Sequence, residues 1–153
     1  MKIEIVNAKE TPPKSDEIRS IVEIEFHPKV REWLIVPTDR SMRLGLKAYR
    51  KFFKKLPKRR RPEILLAKHK GRVIGFLALW TLGRYMDHVA SLGLSIHPDY
   101  WGKGVATKLI KSAIKLAREK GLRRLEIETL AENKPMRRVA VKTGFKLERI
   151  RKE

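Results

Sequence analysis

Residues 92–107 read Leu-Gly-Leu-Ser-Ile-His-Pro-Asp-Tyr-Trp-Gly-Lys-Gly-Val-Ala-Thr, and the reading of this stretch decides the fold. The run from Val89 to Ile96 has the length and apolar character of a buried strand, and Pro98 and Asp99 stop it. A long helix is expected from about Gly102 to Lys120. Val105, Leu109, Ile110, Ala113, Ile114, Leu116 and Ala117 form its apolar face, while Lys108, Lys111, Lys115 and Arg118 fill the other. Gly121 sits where a C-terminal cap belongs. A strand feeding a glycine turn and a helix makes an anion site, because the first helical turn presents unpaired N–H groups and partial positive charge. Gly102 and Gly104 lack a Cβ, so a diphosphate can come against the main chain, with Lys103 and Lys108 adding charge from the sides.

Spacing narrows what such a turn can hold. A P-loop needs Gly-x-x-x-x-Gly-Lys-Ser/Thr, which Gly102-Lys103-Gly104-Val105 does not fit. A dinucleotide turn needs a third glycine, and Lys108 stands near its place. A purely structural Gly-x-Gly turn stays open on this motif alone.

Upstream, residues 2–8 alternate as a first strand, and Thr11-Pro12-Pro13 ends it. Ser15 is read as the cap of a helix carrying Ile18, Ile21, Val22 and Phe26. Pro28 opens a short second helix with Val30, Trp33 and Leu34. From about Ser41 to Leu56, Met42, Leu46, Tyr49, Phe53 and Leu56 face one way, and Arg43, Lys47, Arg50, Lys51, Lys54 and Lys55 fill the rest. The tract Pro57 to Pro62 is read as a solvated basic loop, and residues 63–69 and 72–80 as strands joined by a tight turn at Lys70-Gly71. A loop with Gly83 follows. Beyond the long helix come a strand over 123–130, a helix from about Lys134 to Thr143, and a last strand from Phe145. Trp33, Trp80 and Phe145 are expected in the core. The order of elements implies one domain over residues 1–153, of mixed α/β (α+β) class with helices flanking a mixed sheet.

Composition excludes several chemistries. With no cysteine, disulfides, thiolate metal sites and cysteine nucleophiles are ruled out. His27, His69, His88 and His97 show no metal-ligand spacing, so no metal is expected. No apolar run approaches the roughly 20 residues that cross a bilayer, and Met1 to Val6 does not read as a signal peptide, so the default location is cytoplasmic. Lys plus Arg total 37 against 17 acids, a net charge of +20. Such a field draws anions, whether cofactor phosphates, nucleic acid, a ribosome or an acidic protein; a heat-adapted surface is the alternative.

Ile96-His97-Pro98-Asp99-Tyr100-Trp101-Gly102-Lys103-Gly104-Val105-Ala106 resembles the coenzyme A signature of the GNAT superfamily. That signature reads Arg/Gln-x-x-Gly-x-Gly/Ala after a strand ending in Val/Ile-x-Pro. Downstream, Glu132-Asn133-Lys134-Pro135, Val139, Lys142 and Gly144-Phe145 resemble the second motif of the same family. The resemblance covers about residues 63–153, and the helices of residues 15–56 suit the variable acceptor side. It implies an acetyl-coenzyme A-dependent N-acetyltransferase, of the style of the ribosomal-protein RimJ, RimL and RimI enzymes, in which acyl-coenzyme A lies between two parted strands. The arm would pair with main chain at Leu94, Ser95 and Ile96, where an N–H would polarise the thioester carbonyl. Gly102, Lys103, Gly104, Val105, Ala106 and Thr107 would hold the diphosphate, and Asn133 would touch the arm or cap its own helix. Family members often dimerise, which implies a homodimer.

Two positions depart from the family pattern. Trp101 stands where Arg or Gln is usual, and Ala140 where many members carry a Tyr that protonates the leaving thiolate. Water or a hydroxyl such as that of Tyr85 would then do that work. Glu128 matches the proton-accepting Glu of RimI-type enzymes and is the expected base, with Glu126 second. The acceptor would be a primary amine on a protein N-terminus, a lysine or a small molecule. Ala140 and the tract Lys58 to Arg61 also sustain a rival reading, a basic RNA- or ribosome-binding protein on a catalytically weakened scaffold of the same family.

Overall fold

Alternating apolar residues build one sheet, in the order β1 (Glu4–Asn7), β2 (Glu63–His69), β3 (Arg72–Thr81), β4 (Val89–Ile96) and β5 (Arg124–Ile127). The computed structural model describes residues 1–32, 42–81, 88–130 and 132–148. Strands β1 to β4 are antiparallel neighbours, and β5 runs parallel to β4. Parallel pairing requires a crossover, and helix α4 (Val105–Glu119) supplies it. At the β2–β3 turn both Lys70 and Gly71 have positive φ, 52° and 77°, as the tight turn that matches sheet twist demands.

Each sheet face carries its own core. On one, Val105, Leu109, Ile110 and Ala113 of α4 are buried against Ile74, Leu77, Leu79, Ala90 and Leu92. Gly75 makes this packing feasible. A Cβ there would lie 2.8 Å from Ile96 Cδ1, 3.2 Å from the Ser95 carbonyl oxygen and 3.5 Å from Val105 Cγ1. On the other face, α1 (Ser15–Glu25), α2 (Pro28–Arg31) and α3 (Met42–Lys55) enclose Ile18, Ile21, Ile24, Val30, Phe53 and Leu56 with Ile64, Leu66 and Val73. Helices α1 and α3 approach closely because Gly45 faces Phe26, whose ring would stand 2.8 Å from a Cβ at that position. Among the described residues no helix is long and apolar enough to cross a membrane.

Several expectations change. Ser15 lies inside the first turn of α1. Lys14 is the cap residue, its N–H donating to Glu17 Oε1 at 2.9 Å, so a back-reaching acid replaces a capping hydroxyl. Strand β5 ends at Ile127 rather than residue 130, and residues 145–148 add no strand. The basic tract is only partly solvated: Arg61 turns inward, Nη1 lying 3.8 Å from buried Glu63, which also meets Lys9 at 3.1 Å and Lys120 at 3.7 Å. Trp33, Leu34, Ser41, Gly83 and Tyr85 lie outside the described residues.

Candidate active site at the parting of β4 and β5

The β4–β5 ladder pairs Val89 to Leu92 with Arg124 to Ile127 and stops there. Strand β4 runs on through Gly93, Leu94, Ser95 and Ile96, still paired to β3 on its other edge. Which groups face the gap follows from strand alternation. The His97 N–H donates to the Ile74 carbonyl at 2.8 Å, on the β3 side. Main-chain groups of Ile96 and Leu94 therefore point the opposite way, toward β5, while those of Ser95 and Gly93 point toward β3. Leu94 has no ladder partner on the β5 side among the described residues, so its N–H and C=O border the gap. Ser95, expected to offer main chain to a ligand arm, instead spends those groups on β3, and its side chain is buried.

Ile96 presents less than the resemblance implied. Its carbonyl accepts a hydrogen bond from the Trp101 indole N–H at 2.8 Å. Trp101 therefore takes up a gap-facing acceptor and pins the turn of residues 101–104 to the end of β4. That contact is made by a ring still 44% exposed.

The turn itself has the geometry its glycines allow. Gly102 and Gly104 adopt φ of 73° and 83°, and a Cβ on either would meet nothing within 4 Å, so both open on free space. Gly104 caps α4 with no side-chain hydrogen bond, and the first helical bond runs from the Lys108 N–H to the Gly104 carbonyl at 3.1 Å. Helix geometry thus leaves the N–H groups of Val105, Ala106 and Thr107 without i−4 acceptors, directed toward that opening. Lys103 is exposed, its ammonium 5.8 Å from the centre of the Tyr100 ring. Lys108, expected to add charge beside the turn, is instead hydrogen-bonded to the Ile3 carbonyl.

His97 closes the strand. Its Nδ1 accepts from the Asp99 N–H at 3.1 Å, capping the turn of Pro98–Tyr100, and His27 caps α2 in the same manner through Lys29 at 3.2 Å. Burial pushes the His97 pKa below the usual imidazole value, nearby Arg72 and His27 lower it further, and Asp99 only partly opposes them. A neutral imidazole is what the cap requires.

Acids gather where β5 ends. Glu128 is exposed just past the last pair, beside the start of the gap. Glu126 is half-exposed and engaged by Arg124, Nε to Oε1 at 3.1 Å, and Arg124 also pairs with Glu148. Asn133 is the N-cap of α5 (Lys134–Lys142), its Oδ1 accepting from the Met136 N–H at 3.3 Å. Ala140 is half-buried on α5 and offers no titratable group. Among the described residues no group of His, Asp and Glu is arranged to hold a metal ion.

Sequence reasoning passed over Trp80. Expected in the core, it is 41% exposed and faces away from α4 on β3. The available signal was alternation: Leu77 and Leu79 claim the α4 face, which leaves Trp80 on the opposite one. Phe145 is half-buried against the α4-side core.

Comparison with known proteins supplies the family. Residues 19–145 match the model of the acetyltransferase (GNAT) family. A Bacillus subtilis protein named as a candidate ribosomal-protein-alanine N-acetyltransferase is 31% identical over 88 residues, 58% of this chain and 56% of that protein. An uncharacterised N-acetyltransferase of Methanocaldococcus jannaschii is 30% identical over 125 residues, 70% of this chain and 55% of that one. The chain thus spans little more than half the length of these relatives. Among solved structures, a GNAT-family acetyltransferase from Streptococcus pneumoniae superposes with a TM-score of 0.75 at 18% identity, covering 96% of this chain and 86% of that one. A Salmonella typhimurium structure, described as an acetyltransferase with its cofactor acetyl-CoA, superposes with a TM-score of 0.75 at 20% identity, covering 96% and 81%. At such identities these likenesses speak for the fold, and the family match extends that to descent: the chain belongs to the GNAT acetyltransferase family.

Proposed function

We propose that the protein transfers an acetyl group from acetyl-coenzyme A directly to a primary amine, and that the parting of β4 and β5 beside the Gly102–Gly104 turn is where it does so. The observation that carries this reading is the unpaired β4 edge after Leu92, which lies in line with a helix N-terminus whose amides are unblocked. The N–H groups of residues 102–107 would hold the diphosphate. The Leu94 C=O and the Ile96 N–H would pair with the pantetheine arm as an added strand does, leaving the Leu94 N–H to the thioester carbonyl and the Ile96 carbonyl to Trp101. Asn133 would act mainly by fixing the start of α5, since its side chain is spent on the cap.

The donor supplies an activated thioester. An amine arriving as an ammonium first gives a proton to Glu128, directly or through water, and its lone pair then forms a bond to the thioester carbonyl carbon. The Leu94 N–H steadies the charge that builds on the carbonyl oxygen. Breaking of the carbon–sulfur bond then releases the thiolate, and the proton still in excess on the nitrogen passes to the thiolate or to water. A thiol with a pKa of about 8.5 leaves without a dedicated acid, consistent with Ala140, which offers none. The name of the Bacillus subtilis relative supports a protein N-terminal amine among the acceptors.

The test is mass-spectrometric detection of the acetylated amine together with thiol release on mixing acetyl-coenzyme A with candidate acceptors. Product from at least one primary amine is expected. Salt-sensitive RNA binding without any turnover would favour the rival reading.

A further inference from the structure

We propose that Trp80 positions the acceptor, its indole forming a platform for an alkyl chain that ends in a second ammonium group, with Glu126 receiving that cation. The inference rests on the acetyl-transfer reading and names the class of amine that the site selects.

Cross-strand register places the residues. Trp80 of β3 stands opposite Ser91 of β4, and Ser91 stands opposite Glu126 of β5, so an aromatic ring, a hydroxyl and a carboxylate form one row across three strands. With adjacent strands about 4.8 Å apart, that row spans roughly 10 Å. It lies on the face away from α4, one pair before the sheet parts at Leu92 and Ile127.

Gly93 tilts the indole toward the gap. A Cβ on Gly93 would sit 3.3 Å from Trp80 Cη2 and 3.8 Å from Cζ3, so the ring lies across this residue because it has no side chain. Gly93 adjoins Leu94, whose main chain borders the gap. The exposed platform is therefore about one residue, roughly 3.3 Å along the strand, from the place assigned to the thioester. An exposed indole beside a carboxylate suits an ammonium-bearing chain: the methylenes lie on the ring, the charge meets the ring face and the carboxylate.

Charge supports that class. A protein of net charge +20 repels cationic acceptors in general, so a site that takes them needs local compensation. Among the described residues Arg124 pairs with both Glu126 and Glu148, so in this cluster two carboxylates share one guanidinium.

The experiment compares wild type with Trp80→Ala, Trp80→Phe and Glu126→Gln. The acceptors are 1,5-diaminopentane, its neutral-ended counterpart pentylamine, and a lysine-bearing peptide. Diamine binding is also measured by calorimetry without acetyl-coenzyme A, a readout independent of turnover. Trp80→Ala is expected to raise the acceptor KM and weaken diamine binding about 5- to 30-fold, with the acetyl-coenzyme A KM unchanged and partial recovery in Trp80→Phe. Glu126→Gln is expected to weaken the diamine and leave pentylamine alone. With diamine preferred to pentylamine, a further preference for the diamine over the peptide assigns free polyamines, and one for the peptide over the diamine assigns lysine side chains. If Trp80→Ala leaves diamine affinity and KM within twofold of wild type, or wild type does not prefer diamine to pentylamine, the inference is wrong. A wild type that binds diamine but shows no affinity for acetyl-coenzyme A overturns instead the reading on which the inference rests.

Discussion

Replacing Gly104 by Ala separates the fold from the binding chemistry. Gly104 has φ of 83°, a conformation that disfavours any residue with a Cβ by about 1–2 kcal/mol, partly offset by the lower entropy of an unfolded chain with Ala. Nothing lies within 4 Å of the new methyl, so no packing penalty is added. The net loss of stability is then about 1 kcal/mol, or about 2–4 °C in Tm for a chain of this size. The consequence for ligand is larger. The methyl occupies the open side of the turn, where a diphosphate must approach amides 104–107, and losing one charge-assisted hydrogen bond weakens binding by about 1.5–3 kcal/mol, roughly 10- to 150-fold. Gly121→Ala is the control. It has the same strain, φ of 75° with open space around it, at the far end of α4. Thermal melts and calorimetric titration with acetyl-coenzyme A should show both variants losing similar stability and only Gly104→Ala losing affinity. Equal affinities in the two variants would refute the placement of the diphosphate.

Further outcomes follow from the same structure. Glu128→Gln should lower kcat/KM at neutral pH by about 10²- to 10⁴-fold, the usual worth of a general base, and full retention of activity would remove Glu128 from that role. His97 is held neutral in the fold, its pKa below the unfolded value of 6.5, so its share of stability is complete above pH 6.5 and is lost as pH falls through the lowered value. His97→Asn keeps an acceptor for the Asp99 N–H but cannot titrate. Urea melts should therefore show a shallower loss of stability on acidification than in wild type, and parallel slopes would contradict the cap argument. Gly75→Ala should destabilise by about 1–3 kcal/mol, because its Cβ meets the Ser95 carbonyl oxygen as well as a movable side chain. An unchanged denaturation midpoint would show that α4 can shift to accommodate it.

How much of this was legible beforehand depends on whether local pattern or tertiary pairing decided the feature. Strand β4 and the lower end of α4 obey period and cap rules contained within a few residues, and Gly102, Gly104 and Gly121 all adopt the positive φ that their positions suggest. The extent of β5 was not legible. Thr129 continues the face of Leu125 and Ile127 and Leu130 that of Glu126 and Glu128, yet the strand ends because β4 and β5 part, a property of two strands together. The fate of Lys108 was hidden for a related reason, since its partner, the Ile3 carbonyl, lies far away in sequence just before β1, and Arg61 turns inward to a Glu63 on which distant Lys9 and Lys120 also converge. Trp101 looked like a lost cation; only the structure shows its indole N–H on the Ile96 carbonyl. Trp80 was assigned to the core by residue type, whereas its face of the sheet set its exposure.

Residue-resolved amide hydrogen exchange over residues 92–107, with and without acetyl-coenzyme A, tests the central claim most directly. Gly93 and Ser95, turned toward β3, should exchange slowly in both conditions. The Leu94 and Ile96 amides and those of residues 104–107 should exchange fast alone and slow markedly on saturation. Saturable binding that leaves these amides unprotected, or no binding at modest ionic strength, would contradict the account.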